Sequence, residues 1–277
     1  MTAFFRPVFA LGTTEFRIAL RNRWVTITVA LMALFALVLS AAGSAPTGDV
    51  GVDALSVTVA SLTSLGVYLV PLMALLMSFD AVAGEIERGT LSLTLTYPVS
   101  RTGILMGKFI AHLAVLTIAV GAGYGLAAIT ALATDPEAVT GLPALLRLFW
   151  SSILLGAVFL ALGYALSAIA RRPGAAAGLA IGVWLALVVL YDLGLLAAVV
   201  ADGGGVFTTR ALPWLLLANP ADAFRLYNLA ASEATAAASG LGGAAQTIPA
   251  LHALISVLLW PLAAFGLAVA ALRRVTP

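Results

Sequence analysis

The sequence predicts an all-α integral membrane protein, on three observations. Of its 277 residues 62% are apolar, the mean hydropathy is +1.10, and only 9% are charged. The apolar residues also fall in runs of the length a helix needs to cross a bilayer, about 20 residues. Six runs qualify: roughly Trp24 to Ala42, Leu55 to Phe79, Ile104 to Thr134, Ala144 to Ala170, Gly174 to Ala201 and Pro249 to Leu272. Several exceed the minimum, which permits tilt. Residues 1–277 are read as a single transmembrane domain.

Ahead of the first run, residues 4–23 place Phe5, Val8, Phe9, Phe16 and Leu20 near one helical face, with Thr13, Arg17 and Arg21 on another. That pattern predicts a helix lying in the membrane interface with its apolar side down. Four arginines between Arg6 and Arg23, followed by six spans, exclude a cleavable signal peptide.

An even number of spans puts both termini on one side. Basic residues flanking spans stay in the cytoplasm. The arrangement that places both termini inside collects Arg6, Arg17, Arg21, Arg23, Arg88, Arg101, Lys108, Arg171, Arg172, Arg273 and Arg274 there, and leaves Arg147, Arg210 and Arg225 outside. Both termini are therefore expected in the cytoplasm.

Between the second and third spans lies a polar island, Asp80 to Lys108, with three acidic and three basic residues. Charge gathered at one membrane surface predicts a docking site, here a short cytoplasmic helix in the loop 80–103. The segment 202–248 is too long for a connector. It opens on three glycines and holds an apolar run, Ala211 to Ala218, too short to span. Asn219-Pro220-Ala221-Asp222 then reads as a helix start, with Asn as N-cap, Pro at the first helical position and an acid in the first turn. That helix is expected to run from Ala221 to Ser239 on the periplasmic side. It offers Asn219, Asp222, Phe224 and Arg225 to a partner, although Asp222 and Arg225, three apart, also suit each other.

Polar groups inside the spans are costly, and an ionisable one marks a functional site by default. His112 and Asp192 qualify, each also compatible with a position near an interface. Met73 and Met77 share a helical face, and thioethers suit Cu(I), although Met is more often a flexible apolar filler. These four residues are the possible transport path. Gly174, Gly178 and Gly182 repeat at a spacing that suits close helix packing, with intramolecular packing the expected use.

No enzyme of a common type is visible. The chain has no phosphate loop, no His-Glu-x-x-His, no Gly-x-Ser-x-Gly and no cysteine. No metal site, catalytic residue or cofactor is expected in the chain itself.

The run Gly84-Glu85-Ile86-Glu87-Arg88-Gly89-Thr90-Leu91, followed by Tyr97-Pro98-Val99-Ser100-Arg101 and Gly107-Lys108, resembles the cytoplasmic loop of ABC-2 type transporter permeases. The segment Asn219 to Leu229 narrows the resemblance, together with length and layout, to the permeases of nitrous oxide reductase maturation complexes. The resemblance implies a type V exporter-like fold in the bacterial inner membrane. It implies a coupling helix on which Glu85, Ile86, Glu87, Arg88, Gly89, Thr90, Leu91 and Arg101 meet an ATPase. It also implies a homodimer, two copies of the cytoplasmic ATPase NosF holding ATP and magnesium, the periplasmic protein NosD, and indirectly the copper chaperone NosL and nitrous oxide reductase. The function so implied couples ATP hydrolysis to copper-site assembly, by moving a sulfur or copper-related species or by transmitting force. A generic exporter of a lipid or drug, or a passive anchor for a periplasmic factor, are the alternatives.

Overall fold

The structure, a computed structural model, describes residues 12–14, 16–18, 26, 27, 30, 31, 34, 38, 54–94, 96, 100–229 and 249–275. Most of the expected first span, most of the interfacial helix and residues 230–248 lie outside the described residues. Within the first of these segments, 12–14 and 16–18 are helical. Phe16 packs against the core while Thr13 and Arg17 are exposed.

Nine helices are labelled here: α1 (Ala54–Ser78), α2 (Ala83–Glu87), α3 (Thr90–Thr94), α4 (Arg101–Thr134), α5 (Leu142–Ala170), α6 (Pro173–Asp202), α7 (Leu212–Ala218), α8 (Pro220–Leu229) and α9 (Ala250–Arg273). The described residues contain five helices long and apolar enough to cross a membrane: Leu55–Glu87, Arg101–Thr134, Glu137–Ala170, Pro173–Asp202 and Ala250–Arg273. No strand occurs among the described residues.

Local chemistry sets the boundaries. Ser100 caps α4 by accepting from the Gly103 N–H at 3.1 Å. Arg171 ends α5 in the left-handed region at φ 59°, and Pro173 opens α6 two residues later. Pro71 and Pro261 sit inside α1 and α9. Hydroxyls within the spans turn back on their own helices, as Thr63 does on the Val59 carbonyl and Ser78 on that of Ala74, which satisfies those donors in the apolar interior.

The helices α1, α4 and α5 form the centre. A Cβ added at Gly163 of α5 would fall 1.9 Å from the Ser78 hydroxyl of α1, and one at Gly156 would fall 2.7 Å from Leu116 of α4. Small residues let the backbones approach here, and dispersion then holds them. In contrast, only 6% of the apolar window of α6 is buried. A Cβ at Gly174, Gly178 or Gly182 would meet nothing within 4 Å. Those glycines therefore do not serve packing against the described residues of the same chain, contrary to the expectation.

The segment after α6 corrects a second expectation. It does not stand clear of the bundle: Phe207–Ala211 and α7 run back alongside α6 to Asn219, and α8 turns up again beneath α1, α5 and α9. Asn219 Nδ2 donates to the Leu187 carbonyl at 2.7 Å, within the stretch Leu185–Leu190 where α6 widens to a π-helix. Leu187 is about 21 Å along α6 from its start at Pro173. The hairpin tip thus reaches mid-bundle, which explains why Ala211 to Ala218 is too short to cross: it goes only halfway.

Candidate functional site

Two clusters hold ion pairs between described residues, one at the loop end and one at the hairpin. At the loop end, α1 stops at Ser78, the chain turns through 79–82, and α2 begins. Its first N–H groups need acceptors that the helix cannot supply. Ser167 Oγ of α5 provides one, accepting from Val82 N at 3.0 Å and Ala83 N at 2.9 Å. Gly89, at φ 68°, makes the turn into α3, a conformation that costs glycine least.

Glu85 then points inward. Its carboxylate lies 2.7 Å from Lys108 Nζ on α4, with side-chain exposures of 14% and 5%. Leu91 and Val82 are buried beside Tyr164 and Leu272, with Ile86 partly covered. Arg101 Nη1 donates to the Leu272 carbonyl at 3.1 Å and also to those of Arg273 and Val275, so a cation sits where the α9 dipole is negative. These contacts tie the loop to α4, α5 and α9 at once. Of the residues expected to meet an ATPase, Leu91 is buried, Glu85 turns toward Lys108 and Arg101 binds the end of α9. Glu87, Arg88, Gly89 and Thr90 remain exposed. Arg88 reaches Asp80 at 3.5 Å, but with both largely exposed the pair adds little. Leu93 is 65% exposed and was missed by sequence reasoning; leucine at every second position in Thr90-Leu91-Ser92-Leu93-Thr94-Leu95 is not the period of a helix.

At the hairpin tip, Asn219 caps α8 as expected, its Oδ1 accepting from Ala221 N at 2.9 Å. However, Asn219, Asp222 and Phe224 are buried in the bundle. Arg225 Nη1 lies 3.0 Å from Asp192 of α6 and 3.4 Å from Asp222. Farther along, Asn228 Nδ2 donates to Ser151 of α5 at 2.9 Å and to the Phe224 carbonyl. Tyr191 donates to the Leu215 carbonyl at 2.8 Å, and Ser256 of α9 to that of Leu217 at 2.6 Å. Three of the four residues expected to greet a partner are thus internal, and the fourth is an ion-pair partner of the span residue Asp192.

Met73 and Met77 are buried in the main apolar cluster, and His112 is buried against Tyr164, whose hydroxyl bonds its Nδ1. Asp192 belongs to the hairpin contact. No group of three or more His, Cys, Asp or Glu able to hold a metal occurs among the described residues.

The fold agrees with what the sequence resembles. Over 271 residues the chain is 45% identical to the "Probable ABC transporter permease protein NosY" of Pseudomonas aeruginosa, covering 96% of this chain and 98% of that protein. It is 42% identical over 276 residues to the protein of the same description from Stutzerimonas stutzeri, with the same coverage of both chains. Residues 9–275 match the family described as ABC-2 family transporter protein. A multi-pass helical bundle, matched to that family over almost its whole length and to permease relatives end to end, belongs to the ABC-2 family of transporter proteins, as a permease chain and not the ATPase.

Proposed function

We propose that this chain is the inner-membrane half of an ABC machine for copper-site assembly in nitrous oxide reductase, and that α2 and α3 are the element through which ATP turnover reaches the bundle. The observation that carries the proposal is the two-sided loop. Its inner face is fixed to three long helices by Ser167, the Glu85–Lys108 pair and the packing of Leu91 beside Leu272, while Glu87, Arg88, Gly89, Thr90 and Leu93 are left outside. An anchor has no use for a loop with one clamped and one open face; a lever needs both. The partners are two copies of NosF in the cytoplasm, with both termini of this chain on the same side, and NosD in the periplasm. NosL delivers copper to that assembly. The chain works as a homodimer, and what it moves is a sulfur or copper-related species or force alone. The names of the relatives support the placement in such a complex.

The exposed tip gives the test. Reversing Glu87 to Lys and Arg88 to Glu together leaves the buried pair intact and sets like charge against a complementary surface, at a cost that reaches several kcal/mol. The ATPase is expected to be lost from the purified complex while the permease stays folded in the membrane. A double variant that retains its ATPase and matures nitrous oxide reductase at the normal rate would refute the docking face.

A further inference from the structure

The end of the bundle away from the charged loop carries a groove that the coupling element does not use. It lies between α7 and α9 as two contiguous cavities of about 440 and 450 Å³ that share Trp214, Leu217 and His252. The deeper part is apolar, lined by Leu217, Ile255, Leu259 and Trp260. The mouth holds Arg210 and Thr209 beside His252, which meets Trp214 edge to face. Arg210 is exposed and forms no ion pair with any described residue.

The dimensions identify an occupant. Along α9 the lining runs from His252 to Ala263, about 16 Å at 1.5 Å per residue. That is the depth of one leaflet, half of a hydrocarbon core about 30 Å thick. The groove also opens onto the outward side of α9, where Leu251, Leu258, Leu259 and Leu262 are all exposed, so it is continuous with the surface that faces lipid tails. A basic side chain at the mouth, an aromatic ring just below it and aliphatic lining beneath match the order of phosphate, glycerol level and acyl chain in a phospholipid.

We propose that this groove is a binding site for an anionic glycerophospholipid, one acyl chain lying along Leu217, Ile255 and Leu259 and the phosphate held by the Arg210 guanidinium. The bound lipid would seal the seam between the hairpin and α9, which among the described residues the Ser256 hydroxyl crosses by donating to the Leu217 carbonyl.

The purified full complex, exchanged into phosphatidylglycerol or phosphatidylcholine of the same chains, tests this by native mass spectrometry. Wild type is expected to retain phosphatidylglycerol in preference to phosphatidylcholine. Arg210→Ala is expected to lower that retention about fivefold, the effect of one basic residue at an anionic surface. Ala263→Phe, at an exposed position, is expected to displace both lipids by filling the deep end. Phosphatidylglycerol carrying a photoreactive acyl chain should label the peptides with Leu217 and Leu259. Equal retention of the two lipids by wild type overturns the proposal, as does retention that neither variant alters. So does a photoreactive side chain placed at Leu259 that captures polypeptide, from this chain or a second copy, instead of lipid.

Discussion

Glu85→Gln removes the carboxylate 2.7 Å from Lys108 and leaves the ammonium in a site where its side chain is 5% exposed. Deleting one partner of a deeply buried pair costs about 3–5 kcal/mol, because the remaining charge keeps its desolvation penalty and loses its attraction. The Glu85 side chain is 14% exposed at the rim of the bundle, so water relieves part of that, and about 2–3 kcal/mol is expected. Lys108→Met strands the carboxylate instead, and its rim position makes it the milder variant. The double variant Glu85→Gln with Lys108→Met removes both charges and both penalties, and is expected within about 1 kcal/mol of wild type. Reversible unfolding of the purified full chain measures all four proteins and closes the cycle. Single-variant losses that simply add in the double, within about 0.5 kcal/mol, would show that the two residues are not coupled and that the loop is held by other contacts. Stability and coupling should also separate. The double variant folds but has a loop freed from α4, so its complex is expected to hydrolyse ATP while activating nitrous oxide reductase poorly.

Three further perturbations follow from particular contacts. Ser167→Ala strips the acceptor from the Val82 and Ala83 N–H groups and should cost about 1–2 kcal/mol; faster hydrogen exchange at those amides and at the rest of α2, with α9 unchanged, is the expected signature. Gly163→Ala places a methyl 1.9 Å from the Ser78 hydroxyl and should destabilise by about 1–3 kcal/mol, with Ser78→Gly restoring most of the loss; no rescue would mean the two helices do not meet there. Arg225→Glu sets a third carboxylate beside Asp192 and Asp222, so the hairpin should leave its site and become open to protease; the added change Asp192→Arg is expected to return protection, and equal protease sensitivity of both variants and wild type would refute the ion pair as its tether.

The spans were legible because burial in lipid imposes a length and an apolar composition, and both are local properties of the chain. The cap at Asn219 was legible for the same reason, since an Asn-Pro start needs only its neighbours. What the sequence did not reveal is pairing at a distance. Ser167 acts on amides 85 and 84 positions away, and Arg225 meets Asp192 at a separation of 33. A signal was present all the same. Lys108 and Asp192 are ionisable residues inside or bordering apolar helices, and such groups require a counter-charge. Near Lys108 the acids available at the loop end are Asp80, Glu85 and Glu87, which already narrows its partner to three. The hairpin was misread because an apolar run of eight residues was weighed as either a span or a surface loop. A third form is open to it where the returning backbone is covered by protein: descent to the middle of the membrane and return.

Both polar sites meet on one helix. Ser167 near one end of α5 holds the start of α2, and Ser151 toward the other holds Asn228 of the hairpin. The two serines are 16 residues apart, about 24 Å along the axis. Helices are stiff along that axis, since shortening one means breaking its ladder of hydrogen bonds, whereas a packed bundle admits sliding of about 1–2 Å at small cost. A push on the exposed tip of the loop therefore has a direct mechanical route: it moves α2, α2 draws on Ser167, and the whole of α5 shifts with it. Ser151 then moves by the same amount beneath Asn228. The hairpin starts from α6 at 203–205, where Gly203 and Gly204 both lie at positive φ and the chain bends easily. A shift that begins at the exposed face of the loop would thus arrive at the hairpin, without a pathway of small rearrangements through the apolar core.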